Sequence, residues 1–592
     1  MRLSIRPSGS KVYFYVIRSI KRDGKRSSEV VEKLGTADEI MAAHNCEDPE
    51  AWARSYVEEL NLREKEKTHK VLVPMHTDVQ LEMNRQNSFN IGYLFLQQIY
   101  HQLRLPYICR KITEKHSFEY DMDSILSRLI YGRILYPSSK LSCYEQSTRL
   151  YEQPNFELQH VYRALSVLAE ESAFIQAQLY KSSCKLINRR TGVLYYDCTN
   201  FFFEITAEDE LRKYGYSKEH RPNPIVQMGL FMDRSGIPLA FTITPGNQNE
   251  QTTLRPLEKQ ILQDFELSRF VVCTDAGLAS APNRMYNNIG ERCFITTQSV
   301  KKLEKSLKEW ALDTEGWSLP GHKGTFSIKD LEDTPENRRK TFYKQRYIEG
   351  YDDERDVEFN QTLIVTFSLK YKKYQESVRN NQIQRAQSLI DHPAKADRSG
   401  PNDAKRFIKK NKVTKDGEIA EHRMYELDLN LIAEEARYDG FYASCTNLDD
   451  DPMEIIRVNQ GRWEIEESFR IMKSEFEARP VYLQRKDRIL AHFLTCFISL
   501  MIYRILEYRL NQGAIEESLD KGVVLERRYT CSDIISTLRD MNITRTGTEG
   551  YVPTYTRTPL TDAIHEAAGF RTDYEFSTER NVKGYCRRSR GL

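Results

Sequence analysis

The sequence has 592 residues, too many for a single hydrophobic core, and therefore predicts three or more domains. Its 87 Lys and Arg residues against 85 Asp and Glu leave a net charge of +2, a balance that by itself argues against a dedicated nucleic-acid binder. Because 40% of the residues are hydrophobic and 29% are charged, the composition excludes a wholly disordered chain.

Signals for membrane insertion or secretion are not recognised in the sequence. The longest apolar run, Ile489–Tyr503, is interrupted by His492 and is shorter than the roughly 20 residues that a bilayer requires. No basic and then apolar leader opens the chain, and the 11 cysteines are dispersed without a C-x-x-C pair. We therefore expect a cytoplasmic protein with reduced thiols and no membrane contact.

Residues 1–75 predict a basic, β-rich N-terminal module. Apolar residues alternate through Val12–Val16, and Met1–Ser28 carries eight Lys or Arg against one Asp, a local charge of +7. A solvated edge strand and a surface that contacts phosphates explain this charge equally well. Residues 76–188 predict a helical domain, either a plain bundle or a domain that binds DNA.

Residues 189–298 predict an α/β domain with a mixed sheet, because three antiparallel strands are followed by alternating helix and strand. Residues 299–447 predict a β-rich insertion. Within it, Lys405–Lys415 has six Lys or Arg and no acid, which indicates either a solvated loop or a contact with DNA.

The last two segments of the chain are predicted to be mainly helical. Residues 448–515 carry a long helical pattern that continues to about Leu510. Residues 516–592 form a helical and basic C-terminal region, and its tail, Arg580–Leu592, carries +5 without an acid. We expect this tail to be flexible.

Two carboxylates stand where predicted strands end. Asp197 follows the apolar Val193–Tyr196, and Asp275 follows Phe270–Thr274. Open α/β sheets place their ligands at the carboxyl ends of buried strands, so both residues are candidates for a catalytic site. For either residue alone, an acid that ends a strand in a turn is the simpler explanation.

A third carboxylate, Glu466, lies in a segment with helical spacing. Projected at about 100° per residue, Asn459, Arg462, Glu466 and Lys473 fall within an arc of about 60°, beside an apolar stripe. Such a helix would hold a Glu flanked by cations at the edge of its domain. Periodicity alone slightly favours the simpler explanation, an ion pair between Arg462 and Glu466 on a solvated face.

The spacing N-x2-R-x3-E-x6-K of this segment resembles the Y-x2-R-x3-E-x6-K motif of a group of bacterial insertion-sequence DDE transposases. Four further segments are similar to the same group, in the same order: Tyr196–Thr199, Gly229–Asn247, Val272–Gly277 and Trp463–Arg470. The likeness covers roughly residues 190–510. It departs at Asn459, which replaces the Tyr of the motif and offers no ring to stack on a base.

The resemblance implies a ribonuclease H-like catalytic core interrupted by a β insertion. It implies that Asp197, Asp275 and Glu466 form a catalytic triad that binds two Mg2+ or Mn2+ ions, since hard cations select carboxylate oxygens. It further implies residues that hold DNA phosphates. Our candidates are Arg462, Lys473, Asn459, Arg470, Lys405, Arg406, Lys409, Lys410 and Lys412.

The partners implied by the resemblance are the terminal inverted repeats of the element and its target DNA, bound by a homodimer in a paired-end complex near the nucleoid. Cleavage would pass through a hairpin, with an extruded base stacked on an aromatic ring of the insertion. Trp317 and Trp310 are the candidates for this ring, although each fits the core of the insertion better.

Two other functions remain open from the sequence. A domesticated or decayed copy would bind DNA without cutting it, and Asn459 is the feature in its favour. A two-metal nuclease would use the same metal chemistry without strand transfer, but the long insertion and basic terminal regions favour a transposase. The local charges of +7, +6 and +5 also leave about −16 on the remaining residues, so the net charge of +2 hides separate basic and acidic regions.

Overall fold

A computed structural model of the protein describes residues 1–9, 11–22, 25–46, 48–67, 73, 77–78, 80–391, 404–413, 419–512, 529–547 and 550–592. The chain forms two compact units. The first comprises Met1–Arg85 with Arg545–Tyr551, and the second comprises Gln86–Thr544 with Val552–Leu592.

The first unit contains an antiparallel sheet with the strand order β1-β2-β3. Its elements are β1 (Arg2–Ser8), β2 (Lys11–Arg22), β3 (Lys25–Thr36), α1 (Ala37–His44) and α2 (Pro49–Lys67). Helix α1 begins at a capping box in which the Glu39 carboxylate accepts from the Thr36 backbone N–H at 2.8 Å. Phe14, Ile40 and Ala53 form the small core of this unit.

The second unit opens with helices. Its first elements are β4 (Ser88–Asn90), α3 (Tyr93–Gln102), α4 (Leu105–His116), α5 (Met122–Leu135), α6 (Lys140–Gln146), α7 (Leu158–Glu170) and α8 (Ser172–Leu186). The polar stretch Lys140–Glu145 belongs to helix α6. The Ser139 hydroxyl caps that helix by accepting from the Ser142 backbone N–H at 3.1 Å.

A mixed sheet of eight strands lies at the centre of the second unit, with the order β10-β11-β14-β9-β8-β5-β6-β7. The strands are β5 (Val193–Phe202), β6 (Ile225–Asp233), β7 (Pro238–Pro245), β8 (Val271–Thr274), β9 (Cys293–Gln298), β10 (Phe342–Asp352), β11 (Val357–Phe367) and β14 (Phe441–Thr446). Strand β8 pairs in parallel with β5 and with β9, and the other strand pairs of this sheet are antiparallel.

The stretch 299–447, expected as an insertion domain, contributes three strands to this sheet, because β14 pairs with β9. The sheet is therefore continuous across the expected boundary at residue 298. Helices α9 (Leu254–Asp264) and α10 (Ala281–Tyr286) precede this stretch. Its remaining elements are α11 (Lys305–Leu312), α12 (Leu369–Ile390), α13 (Leu429–Ala436) and the antiparallel pair β12 (Ile408–Val413) and β13 (Ile419–Leu427).

The helical pattern after Pro452 is divided into three helices instead of one. They are α14 (Pro452–Gln460), α15 (Trp463–Ser474) and α16 (Lys486–Leu510). The first break is at Gly461, where a Cβ atom would lie 2.2 Å from the Tyr195 hydroxyl oxygen. That hydroxyl donates a hydrogen bond of 3.0 Å to the Val458 carbonyl, so the last turn of α14 is held by a residue of β5.

Helix α16 meets the length and hydropathy expected of a membrane-spanning helix, although 94% of its most apolar window is buried within the protein. It packs against α3, α5, α7, α15 and β7, as the core helix of a folded domain does. Length and composition alone are therefore weak evidence for a membrane span.

The C-terminal part of the chain contains α17 (Cys531–Asp540), β15 (Asn542–Thr546), β16 (Gly550–Pro553), α18 (Pro559–Ala568), β17 (Ser577–Thr578) and α19 (Glu579–Ser589). The basic tail, expected to be flexible, is mostly helix α19. Val582, Tyr585 and Cys586 of this helix are buried, which explains why the tail is ordered despite its charge.

We predict that Gly461→Ala destabilises the protein by about 1 to 3 kcal/mol, because the new Cβ collides with the Tyr195 hydroxyl. Thermal unfolding measures the effect. Gly584→Ala in α19 is the control, since its Cβ meets open space and Ala is the better helix former. In the Tyr195→Phe background the penalty should shrink, and an undiminished penalty there would contradict the proposed collision.

Candidate active site

Two of the candidate carboxylates stand at the same level of neighbouring strands. The parallel pairing of β5 with β8 sets Tyr195 opposite Cys273, and continuing that register by two residues brings Asp197 to the level of Asp275, whose charge acts on Asp197. Asp197 was expected to end its strand, but β5 continues to Phe202 because β6 pairs with its whole length. Asp275 does follow the end of β8.

The electrostatics of Asp197 reflect this placement. Burial and, to a smaller extent, the neighbouring Asp275 raise the pKa of its carboxyl, which comes to about 6. Lys218, the Cys198 backbone N–H and Arg462 oppose the rise. The Asp197 carboxylate accepts from that N–H at 2.7 Å, and the Asp275 carboxylate accepts from the Leu278 backbone N–H at 3.0 Å. Two like charges at one site favour the binding of a cation between them.

Glu466 lies in the first turn of α15, and its side chain is 65% exposed. Its carboxylate lies 3.8 Å from the Arg462 guanidinium, the ion pair that the helical spacing allows. The carboxylates of Asp197, Asp275 and Glu466 do not all come within 4.8 Å of one another. The donor set nevertheless fits a hard divalent cation, since it consists of carboxylates, two of which share one edge of the sheet.

Helix α15 is fixed to the rest of the unit by Arg504 of α16. This buried guanidinium donates to the Glu464 carbonyl at 3.0 Å and to the Ser468 hydroxyl at 2.7 Å. It also pairs with the Glu507 carboxylate at 2.6 Å, so its charge is compensated inside the core. Helix α15 is thus held at two successive turns, on either side of Glu466.

Lys218 is a residue of this site that sequence patterns did not indicate. Its ammonium donates to the Cys198 carbonyl and lies 3.4 Å from the Glu250 carboxylate. Burial lowers the pKa of Lys218, but Asp197 and Glu250 outweigh that effect and raise it above its ordinary value. Lys218 follows β5 in a loop without a regular pattern, so no spacing in the sequence relates it to Asp197.

Lys473 and Arg462 complete the cations around Asp197. Lys473 lies 3.1 Å from the Glu219 carboxylate, and burial together with Lys218 lowers its pKa to about 8, against the opposing charge of Asp197. Burial lowers the pKa of Arg462, whereas surrounding negative charges, including those of Asp197 and Asp275, raise it above its ordinary value. Both residues therefore lie within the electrostatic field of the carboxylates.

Asn459, which we expected to contact DNA, is buried and 3% exposed. Its amide donates to the Tyr442 hydroxyl at 3.0 Å and accepts from the Cys273 thiol at 3.4 Å. The expectation was wrong because the break at Gly461 places Asn459 on α14, so it does not share a helical face with Glu466. Its polar atoms are used inside the protein.

The contacts of Asn459 lead instead to Arg462. The Tyr442 hydroxyl shares a hydrogen bond of 2.7 Å with the Thr297 hydroxyl, which accepts from the Arg462 guanidinium at 3.1 Å. Tyr442 comes from β14 and Thr297 from β9. A tyrosine hydroxyl is thus present beside Arg462, although it comes from another part of the chain than the motif position.

The other candidate DNA contacts differ in their surroundings. Arg470 is exposed and pairs with Glu467 at 2.6 Å. Arg406 pairs with Glu435 at 3.0 Å and donates to Gln382 at 2.8 Å, so its charge is largely used within the protein. Lys409 is exposed on β12. Lys405 lies in a short 3-10 turn, and the side chains of Lys410 and Lys412 lie outside the described residues.

The two candidate tryptophans differ in burial. Trp317 is fully buried in the core formed by strands β10, β11 and β14, and its indole N–H donates to the Asp313 carbonyl at 2.9 Å. The Lys344 ammonium lies 4.8 Å from its ring centre. Trp310 is half-buried against the same core. The proposed stacking of a base on Trp317 is therefore wrong, because its ring has no exposed surface.

Comparison with known proteins gives a family match and several similar solved structures. A family model described as a transposase DDE domain matches residues 201–502. A cryo-EM structure of the piggyBac transposase synaptic complex with hairpin DNA is similar at 9% identity over 84% of each chain, with a TM-score of 0.33, too weak a likeness to carry an argument. No curated protein sequence matches this one.

We predict that Asp197→Asn stabilises the protein at pH 7.5 in a chelator by about 1 to 3 kcal/mol. Between pH 4 and 6 the folded Asp197 keeps a proton that the unfolded chain has lost, so the wild-type stability falls as the pH rises through that window. Asn has no proton to lose and escapes this fall.

Unfolding temperatures of both proteins from pH 4 to 8 measure the prediction. Asp264→Asn, at an exposed position at the end of α9, is the control and should show no such pH-dependent gain. A difference between wild type and Asp197→Asn that stays constant from pH 4 to 8 would rule out the raised pKa.

Proposed function

The chain belongs to the family of proteins with a transposase DDE domain, and on that premise we propose that it is the transposase of a bacterial insertion sequence of the Y-x2-R-x3-E-x6-K group. It binds the terminal inverted repeats of its element, cleaves the DNA there and joins the ends to target DNA. The cut passes through a hairpin, and two copies of the chain act in a paired-end complex in the cytoplasm, at the nucleoid.

One observation carries this proposal: Asp197 on β5 and Asp275, directly after the parallel strand β8, lie close together, surrounded by Lys218, Arg462 and Lys473. Carboxylates that share an edge of a sheet suit a metal, and cations around them suit a phosphodiester. A protein that only binds DNA has no need of the paired carboxylates.

The catalytic core would be ribonuclease H-like, and what supports this is the mixed order β7-β6-β5-β8-β9 with β6 antiparallel to its neighbours. We propose residues 189–298 and 448–515 as its two parts. The β insertion between them adds β10, β11 and β14 to the same sheet. The modules at residues 1–75 and 76–188 are candidates for binding the repeat.

Asp197, Asp275 and Glu466 would hold two Mg2+ or Mn2+ ions, which when bound lower the pKa of the attacking water or hydroxyl and neutralise charge on the phosphate. Glu466 is exposed and would turn from Arg462 toward the two aspartates. That movement frees the Arg462 guanidinium, whose planar fork suits a bidentate contact with a phosphate.

The remaining cations hold the DNA strand. Lys473 has its pKa lowered to about 8 by burial and by Lys218, so a phosphate beside it would stabilise its charged form. Lys218 balances the charge of Asp197 while no substrate is bound. These cations therefore stabilise the site before cleavage and bind the phosphates during it.

We predict that Asp197→Asn and Glu466→Gln each lower Mg2+-dependent cleavage of an end-containing duplex by about 100-fold or more, because each removes a ligand charge. Gel assays of nicked and hairpin products measure this loss. Glu467→Gln, on the same helix, is the matched control and should cleave normally. Undiminished cleavage by either site variant would show that the substituted residue is not part of the catalytic site. Products of strand transfer would distinguish a transposase from a nuclease.

We predict that Tyr442→Phe lowers the cleavage rate about 3- to 10-fold, because it breaks the hydrogen-bond path from Asn459 through Thr297 to Arg462. Thr297→Val should have a similar effect, and the double variant should be little worse than either single one. Tyr347→Phe, at an exposed position of β10, serves as the control. Fully additive losses would show that the two hydroxyls act separately.

A further inference from the structure

A cavity of about 750 Å³ lies beside the candidate active site, at the start of α16. The end of α5, the start of α6 and the segment 477–485 form its other walls. Five cationic side chains and one carboxylate, that of Glu477, line it. The cations are Arg133, Lys140, Arg479, Arg485 and Arg488, and we call this feature the basic cavity.

Lys140 is the most unusual member of the basic cavity, because it is only 6% exposed. Burial and, to a smaller extent, the nearby Arg133 lower its pKa to about 8. In the described part of the chain no carboxylate is among the charges that act on Lys140; two thiols, of Cys143 and Cys496, are the groups that oppose the shift. A buried ammonium without an anion is destabilising, so the fold retains a charge that a ligand could compensate.

Two arginines add to this uncompensated charge. The Arg133 guanidinium donates to the backbone carbonyls of Phe476 and Ser138, each at 3.0 Å, and not to an acid. Arg488 lies 5.2 Å from the ring centre of Tyr162. The Nε atoms of both arginines are buried and have no hydrogen-bond partner among the described residues. Neither guanidinium has a carboxylate partner among the described residues, and such a group suits the oxygens of a phosphate.

The other cations of the basic cavity are partly compensated. Arg485 pairs with Asp487 at 2.7 Å, and Arg479 pairs with Glu219. Arg485, the residue before α16, gives the helix no side-chain cap, so the first N–H groups of α16 add positive potential at this wall. The charge that remains unmatched is concentrated on the buried Arg133 and Lys140 and on the half-buried Arg488.

Arg479 connects the basic cavity with the candidate active site. Its partner Glu219 also pairs with Lys473 at 3.1 Å, and Lys473 lies in the electrostatic field of Asp197. Lys218, Lys473 and Arg479 therefore form a line of cations from the carboxylates to the cavity. Successive phosphates of one DNA strand would follow such a line.

We propose that the basic cavity binds a backbone phosphate of the same DNA strand whose scissile phosphate lies at Asp197. This inference rests on the proposed function, and it adds a second phosphate site that is separate from the metal ligands. Lys140, Arg133 and Arg488 compensate the phosphate charge, and Arg479 moves from Glu219 to the strand when DNA is bound.

The test uses the 592-residue chain, a duplex from an end of the element and a scrambled duplex. Lys140→Met keeps the length of the side chain and removes its charge, while Arg488→Gln removes the second cation. Lys185→Met is the control, because Lys185 is an exposed lysine near the end of α8. Affinity for both duplexes is measured over a range of salt concentrations in a chelator.

Each cavity variant should bind both duplexes about 3- to 10-fold more weakly, and its plot of log affinity against log salt should lose a slope of about 0.9 per phosphate contact. Lys140→Met should also unfold at a higher temperature than the wild type without DNA, since it removes an uncompensated buried charge. A lysine with only a structural role would instead lower the unfolding temperature.

Other results overturn the proposal. Unchanged affinity and slope in both cavity variants, with wild-type binding intact, would remove the cavity from the DNA path and leave the proposed function standing. Binding of neither duplex by the wild type would overturn both. Inorganic phosphate that raises the unfolding temperature of the wild type but not of Lys140→Met, with DNA affinity unchanged, would assign the cavity to a free anion instead of DNA.

Discussion

The candidate site depends on the parallel pairing of β5 with β8. This register brings Asp197 to the level of Asp275, although 78 residues separate them in the sequence. A shift by one residue would turn one carboxylate to the opposite face of the sheet. Tyr195 in the same pair of strands also holds the end of α14, so one strand sets both the first carboxylate and the start of the helix that carries Glu466.

The electrostatic balance around these carboxylates explains the neighbouring cations. Asp197 and Asp275 would repel each other if both were charged in isolation, and the raised pKa of Asp197 reflects burial and that repulsion. Lys218 and Arg462 reduce the repulsion when no metal is present. The ion pair of Arg462 with Glu466 likewise compensates the charge of the exposed third carboxylate. A metal ion that binds Glu466 would replace Arg462 as its partner.

The features of the site that the sequence predicted are those that depend on local contacts. The apolar strand before Asp197 and the motif spacing of Arg462, Glu466 and Lys473 identified residues that the fold brings into one region. The helical projection failed at Gly461, because a hydrogen bond from a distant strand ends α14 there. Periodicity contains no information on such a tertiary contact, and the assignment of Asn459 to the DNA face failed for the same reason.

Burial was the second limit of the sequence. Trp317 was a candidate for stacking a base because it is a tryptophan of the predicted β insertion, but the strands of that insertion join the central sheet and enclose it. Lys218 and Lys140 are the opposite case: the fold turns both side chains inward, and no sequence pattern predicts this for a single lysine. The net charge of +2 gives no sign of these lysines, because an acid elsewhere on the chain cancels each of them in the sum.

Uncompensated charge therefore indicates function more directly here than total charge. A protein selected only for stability would pair or replace Lys140, as it pairs Arg504 with Glu507 in the same helix bundle. The two residues are similarly buried, at 6% and 2% exposure, but only the arginine has an acid against it. Arg504 therefore stabilises the fold, whereas Lys140 remains available for a ligand. In the proposed function, the DNA bound at the adjacent carboxylate site supplies the compensating negative charge.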